Sequence, residues 1–344
     1  AYNNGKYTIA EKQQMFPHLF NSLSVVIPVL SSTFASVGRF LKHAGNMSLG
    51  MLIIDESGQA VPQSALGAIY RTRRAVVVGD PLQVEPVVTI PKVLIDILAD
   101  STCVANEYKV IENSAQTFAD NINEFNGMIG ERQVGCPLVV HRRCIEPMFS
   151  ISNLISYDNR MFNKTNKKEE YLKLENPFLI KKSGWINVEG VENGGKDHFV
   201  KNQAERVCQL MEDAVHIYSD LFETDDKIFI ITPFRTVAES MRKFIISYFS
   251  VKGYDKEILS KWTKNCVGTV HTFQGKDANE VIFVLGCSDK SVGAMNWVVK
   301  KANILNVACT RAKYRIAFIG NLNDWKNRRY FREFIPQFID TIDV

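Results

Sequence analysis

Two carboxylates close an apolar run in MLIIDESGQA (51–60), and a second apolar run, AVVVGDPLQVEP (75–86), passes into Gly79-Asp80 with Gln83 behind it. If each run is a buried parallel strand, these residues lie beyond strand C-terminal ends, where open α/β sheets place their ligands. There, Asp55 and Glu56 could divide two tasks, one holding Mg²⁺ and the other polarising an attacking water. The same pair also suits a helix N-terminus, which favours negative charge. Gly79-Asp80-Pro81 taken alone is a turn sequence. Gln83 adds something a turn does not need, an uncharged side chain able to hydrogen-bond both a water and a phosphate oxygen. One helix fits between the two runs, so both acidic turns are expected on nearby strand ends of one sheet.

The elements that would hold these residues can be traced along the whole chain. Apolar runs recur at SVVIPVL (24–30), PLVV (137–140), KIFIIT (227–232), VGTV (267–270), EVIFVLG (280–286) and RIAFIG (315–320). Continuous β-branched runs alternating with helical segments at 56–74 and 233–250 predict an α/β fold with parallel sheets covered on both faces. Asn202 followed by Glu205 reads as a capping box opening a further helix, with Ala204, Val207, Met211, Ala214, Val215 and Tyr218 on its apolar face. The charged run at 163–176 reads as a solvated excursion, and the polar, Gly-punctuated stretch 112–136 as the crossover between domains.

The chain's 344 residues allow two domains, and 46% hydrophobic with 23% charged residues is ordinary globular composition. A net charge of +4 is only a mild lean towards anionic partners. Seven scattered cysteines, never spaced C-x-x-C, argue against a disulfide framework or a zinc site and suit a reducing cytosol. No apolar run reaches the length of a membrane span. The N-terminus has neither a signal-peptide layout nor an initiating Met, so a cut or processed piece is expected.

DESGQA followed by GDPLQVEP resembles motifs II and III of the superfamily 1 helicases. Further on, VVHRRCIEPMFSISN resembles motif IV, GTVHTFQGKDANEVIF motif V and LNVACTRAKYR motif VI, all in order. The wording is most similar to the branch containing the nonsense-mediated-decay helicases and Senataxin. The resemblance implies two RecA-like parallel-sheet domains, the first incomplete: residues 1–130 would hold the C-terminal part of domain 1 with motifs II and III, and residues 131–344 would form domain 2 with motifs IV to VI. It also implies ATP and Mg²⁺ as cofactors and DNA or RNA, bound without sequence preference, as partner.

Family roles transfer by matching residues. Asp55 would ligate Mg²⁺ through its water shell and Glu56 would orient or deprotonate the hydrolytic water. Gln83 would sense the γ-phosphate, with Asp80 beside it in the nucleotide site. Arg143 and Arg311 would face the transferring phosphoryl group, a role worth roughly 10³ to 10⁵ in rate. Arg142 stands where relatives often carry an aromatic, and could stack on the base; either Arg142 or Arg143 could reach phosphate. Gln274, Gly275 and Asp277 would bridge nucleotide and nucleic acid, although Asp277 is one methylene shorter than the Glu of many relatives. Ser32 and Thr33 in one domain, and Thr232, Phe234, Arg235, Thr269 and His271 in the other, would contact the nucleic-acid backbone and base faces.

One expected part is missing. Nothing before motif II reads G-x-x-x-x-G-K-[ST], so the chain is expected to depend on the N-terminal part of the same helicase, or on a partner, for its phosphate loop, and not to turn over ATP alone. A non-catalytic binding module or one subunit of a split helicase is the alternative. GVENGGKD (190–197) imitates the loop through Gly190, Gly195 and Lys196, but it follows the acidic turns, carries Asp197 where Ser or Thr should ligate Mg²⁺, and does not open directly into a helix. It reads as a glycine-bearing surface turn.

Overall fold

The computed structural model describes residues 6–342 apart from 110, 112, 131, 167–177, 195–196 and 274. The chain divides into two compact units. The first comprises the residues up to Pro81 with Glu85–Met128 and Gln133–Cys136; the second comprises Leu82–Val84, Ile129–Arg132 and the chain from Pro137 onward.

The first unit opens with α1 (Ile9–Val26), whose N-terminus is closed by a reciprocal box: Glu11 N–H donates to Thr8 Oγ1 at 3.3 Å and Thr8 N–H to Glu11 Oε2 at 2.7 Å. There follow α2 (Phe34–Phe40), β1 (Leu49–Ile54), α3 (Pro62–Tyr70), β2 (Thr72–Val77), α4 (Lys92–Ser101) and α5 (Ala115–Ile122). β1 and β2 pair in parallel, with Ile54 opposite Val77. The expected strand over SVVIPVL is not formed. Residues 24–26 end α1, and Ile27–Leu30 is irregular with Val29 80% exposed. Pro28 cannot donate to a ladder, so this run could not have been a central strand. The helix expected over 56–74 is shorter, because a 3₁₀ turn at Ser57–Gln59 precedes Pro62 at the first helical position.

The short strands β3 (Gly127–Ile129) and β4 (Arg132–Val134) lie where the chain passes between units. In the second unit, PLVV gives only the start of β5 (Val140–His141), paired in parallel with β6 (Phe162–Asn163). Then come α6 (Met148–Ser156), β7 (Gly184–Asn187), α7 (Lys201–Ile217), β8 (Ile228–Thr232), α8 (Arg235–Val251), α9 (Lys256–Cys266), β9 (Val267–Thr269) and β10 (Ala278–Val284). The unit ends with α10 (Val292–Val298), α11 (Asn303–Arg311), β11 (Ala312–Gly320), α12 (Leu322–Trp325), α13 (Phe331–Phe338) and β12 (Asp340–Thr341).

A six-stranded parallel sheet, ordered β12-β7-β11-β10-β8-β9, forms the centre of this unit. Every residue of β8 is buried, as a strand covered on both faces must be, which is why its sequence is a continuous apolar run. α7 packs Ala204, Val207, Met211 and Ala214 into the core, but Asn202 does not cap it. The helix begins at Lys201 with Val200 at the N-cap position, and the Asn202 amide donates instead to the Glu189 carbonyl at 2.9 Å. The fold class is α/β with parallel sheets; in the first unit the parallel pair is β1–β2, and most of the short β3–β4 pair belongs to that unit as well.

Candidate functional site

In the first unit, Asp55 and Glu56 leave the C-terminal end of β1 and both are exposed. Glu56 takes the left-handed backbone, φ 52°, so the chain turns sharply and its N–H meets Asp55 Oδ1 at 3.0 Å. Glu56 Oε2 accepts from the Gln59 amide at 3.1 Å, so the D-E-x-x-Q spacing closes on itself. Ser57 N–H donates to the Val78 carbonyl at 2.9 Å, which ties this turn to the end of β2. The buried Ser57 hydroxyl lies 2.8 Å from the same carbonyl and 2.6 Å from Gln116 Oε1. Gln116 in turn donates to Asp120 at 2.8 Å, a support that the motif alone did not signal.

The two turns meet backbone to backbone. A Cβ on Gly79 would come within 2.6 Å of Gly58 N, and one on Gly58 within 2.8 Å of the Asp80 carbonyl. Gly79→Ala should therefore part the turns, at a cost of about 3 kcal/mol. Hydrogen exchange would show it as lost amide protection in β1 and β2 with β8 and β10 unaffected; an unchanged profile would contradict the close approach. On the same unit, Ser32 and Thr33 are exposed just before α2, where Thr33 Oγ1 donates to Ser36 Oγ at 3.3 Å.

In the second unit, Arg311 ends α11 and is 1% exposed. One guanidinium nitrogen, Nη1, donates to the carbonyls of Phe273 at 3.3 Å and Lys276 at 3.1 Å. The other, Nη2, donates to Gln83 Oε1 at 3.2 Å and approaches Thr310 Oγ1 at 3.4 Å. Asn306, one turn earlier on α11, is fully buried. Its amide donates to the Leu82 carbonyl at 2.9 Å, and its Oδ1 accepts from Ser152 at 2.5 Å. Val84 joins the apolar core. Gln83 is thus locked into the second unit through Arg311.

Other predicted residues occupy several settings. Gly275 has φ 72° with open space where a Cβ would stand, so its turn geometry, not crowding, calls for glycine. Asp277 pairs with Lys313 at 2.8 Å. Arg142 is exposed and Arg143 half-buried, on the loop after β5. Thr232 and Phe234 are buried; Thr232 Oγ1 accepts the Phe234 N–H at 3.5 Å, and the Phe234 ring packs between His198 and Trp297. Arg235 is exposed and pairs with Glu239 at 2.9 Å. Thr269 ends β9, and desolvation holds the nearby His271 imidazole below its ordinary pKa. Gln274, Gly195 and Lys196 lie outside the described residues.

Two family models, each described as an AAA domain, match residues 124–323 and 3–90. An uncharacterised ATP-dependent helicase of Methanocaldococcus jannaschii is 24% identical over 96% of this chain and 44% of its own length. Helicase sen1 of Schizosaccharomyces pombe is 24% identical over 87% of this chain and 16% of its own. The chain therefore spans less than half the length of these relatives. A solved structure of the Arterivirus nonstructural protein 10 helicase with DNA aligns at a TM-score of 0.37 and 12% identity, covering 83% of this chain and 42% of that one. With the ordered motifs and the parallel-sheet units that carry them, the matched models make this chain a member of the superfamily 1 helicases, in the branch of the nonsense-mediated-decay helicases and senataxin.

Proposed function

We propose that these residues belong to the motor of an ATP-driven helicase or translocase that moves on single-stranded or duplex nucleic acid and hydrolyses ATP to ADP and phosphate. The observation that carries this reading is the Arg311 guanidinium, on which Gln83, the Phe273 and Lys276 carbonyls and Thr310 converge within one unit. These are pieces of motifs III, V and VI, far apart in sequence, and a coupling device needs such a meeting point. Asp55 would hold Mg²⁺ through water and Glu56 would act on the hydrolytic water, with both exposed at a strand end as that work requires. Their fit to a hydrated cation rests on oxygen donors alone, which is Mg²⁺ chemistry.

Gln83, Arg143 and Arg311 would attend the γ-phosphate; Asp80, Arg142, Gln274, Gly275 and Asp277 would line the nucleotide. Ser32, Thr33, Arg235, Thr269 and His271 would grip the strand. The buried Thr232 and Phe234 would act by shaping the turn from β8 into the helix that Arg235 opens. The scattered, odd-numbered cysteines support a cytosolic setting.

The 344 residues contain no G-x-x-x-x-G-K-[ST], so nothing in them supplies the backbone cradle and lysine that fix a triphosphate. Turnover of ATP by these residues alone is expected at background, with or without nucleic acid. Labelled DNA and RNA homopolymers should bind regardless of sequence, with affinity falling as salt rises. Fluorescence anisotropy and a phosphate-release assay test the two halves separately. Absence of strand binding at low salt would sink the nucleic-acid reading. Strand-stimulated turnover that disappears in Gln83→Ala would overturn the dependence on an outside phosphate loop.

A further inference from the structure

The stretch that imitates a phosphate loop contributes one residue to a different kind of cluster. Glu192, His198 and Cys287 each place a ligand atom so that all three lie within 4.8 Å of one another. The Glu192 side chain is 6% exposed, that of His198 19%, and Cys287 is 2% exposed. They come from two loops of the second unit: Glu192 and His198 from the connection between β7 and α7, and Cys287 from the one after β10. A carboxylate, an imidazole and a thiol gathered out of water are the donor set of a borderline transition metal, with three protein ligands and one position left for water.

The backbone holds this arrangement firmly. Cys287 N–H donates to the His198 carbonyl at 2.9 Å, while both residues adopt left-handed backbone, with φ 60° and 56°. Such conformations are rare for residues with a side chain and persist where the surroundings enforce them. Gly286, at φ 61°, permits the approach, since a Cβ there would meet the same His198 carbonyl at 2.6 Å. An antiparallel bridge between Glu192 and Val200 closes the third side. Outer contacts orient the carboxylate: Ser288 N–H donates to Glu192 Oε1 at 2.7 Å and Ser291 Oγ to Oε2 at 2.9 Å. His198 Nδ1 lies 3.3 Å from Glu192 Oε2, a separation that two ligands on one tetrahedral ion can share.

We propose that Glu192, His198 and Cys287 form a binding site for a zinc-class divalent cation. Uptake forms one metal–sulfur, one metal–nitrogen and one metal–oxygen bond; the thiol proton leaves to solvent, and no electron is transferred. The ion pins the two loops at the C-terminal ends of β7 and β10, next to Phe234, whose ring lies 4.7 Å from that of His198. This inference stands apart from the reading of the motor, because neither ATP nor nucleic acid enters it.

Cobalt(II) chloride is the probe, added to the full 344-residue chain with the exposed Cys103 and Cys136 replaced by Ser. One equivalent should bind with a thiolate-to-cobalt charge-transfer absorption, and zinc should displace it. The band should vanish in Cys287→Ser, while Ser291→Ala, which removes an outer hydrogen bond, should weaken binding about 10- to 100-fold. Glu192→Gln preserves shape and covers the case in which the Cys287 variant fails to fold; it should also weaken binding. A folded chain with no charge-transfer band at saturating cobalt would overturn the proposal, meaning that the Glu192–His198–Ser291 hydrogen bonds are the whole purpose of the cluster. A band that survives Cys287→Ser would do the same.

Discussion

Replacing Arg311 with Ala is expected to lower the stability of the second unit by about 3 kcal/mol. The side chain is 1% exposed and supplies donors to the Phe273 and Lys276 carbonyls and to Gln83 Oε1. Each hydrogen bond to a charged donor contributes roughly 1.5–3 kcal/mol, and a truncated side chain leaves buried acceptors behind. Arg311→Lys keeps the charge but loses the planar fork, so it should recover at most one of the contacts. Gln83→Ala removes a single acceptor and should cost only about 1 kcal/mol. Urea unfolding with a common m-value separates the three variants. A change below about 0.5 kcal/mol for Arg311→Ala is what a surface arginine gives, and would rule out the buried cage. The structural cost bears on functional work, because loss of activity in Arg311→Ala must be compared with Arg311→Lys before phosphoryl chemistry is credited.

A comparable loss, about 3–5 kcal/mol, is expected for Glu280→Ala. Glu280 is fully buried on β10 and accepts from Leu179 N–H at 2.8 Å, Ile180 N–H at 2.6 Å and Tyr218 OH at 2.7 Å. Burial raises its pKa, opposed by those three donors and by the charge of Arg315. The same burial, with the Glu280 charge alongside, holds the Tyr218 phenol far above its ordinary range. A carboxyl whose folded pKa is raised binds its proton more tightly in the folded state. Its contribution is therefore full below the ordinary carboxylate value and declines as pH rises from there through the raised value. Glu280→Gln removes that slope, and its amide must also face an N–H that the carboxylate accepted. Denaturation midpoints measured across the acid range check both points; a parallel pH profile for wild type and Glu280→Gln would contradict the raised pKa.

What the sequence revealed, and what it hid, follows from where the partners lie. β8 and the C-terminal runs of β10 and β11 were legible because strands covered on both faces must be apolar, and Val281, Ile282 and Phe283 are fully buried. β1 and β2 were legible from apolar runs alone, although Met51, Ile53 and Val76 are exposed. SVVIPVL has the same composition without the cover, with Val25 86% and Val26 80% exposed, and composition does not record whether cover arrives. The capping signal was there to read at Thr8 and Glu11, whereas Asn202 and Glu205 match the pattern two positions out of register with the N-cap at Val200. The acidic turns were legible as a pair because one helix separates two adjacent strands. The hydrogen bonds that fix them were hidden, since Gln116 lies 59 residues from Ser57. Glu280 and the Glu192–His198–Cys287 cluster were hidden for the same reason. Nothing local marks a carboxylate whose donors arrive from 100 residues away.

Leu82–Val84 belongs to the second unit although the chain on either side of it belongs to the first. A gene segment cloned from Pro137 onward would encode the six-stranded sheet intact yet omit one acceptor of Arg311 and one of Asn306. Such an excised product would expose a guanidinium and an amide shaped around a tripeptide it no longer carries. Added back as a short synthetic peptide, Leu82–Val84 with its flanks would compete for that cleft, so dissection by cloning boundary and complementation in trans become two views of one linkage.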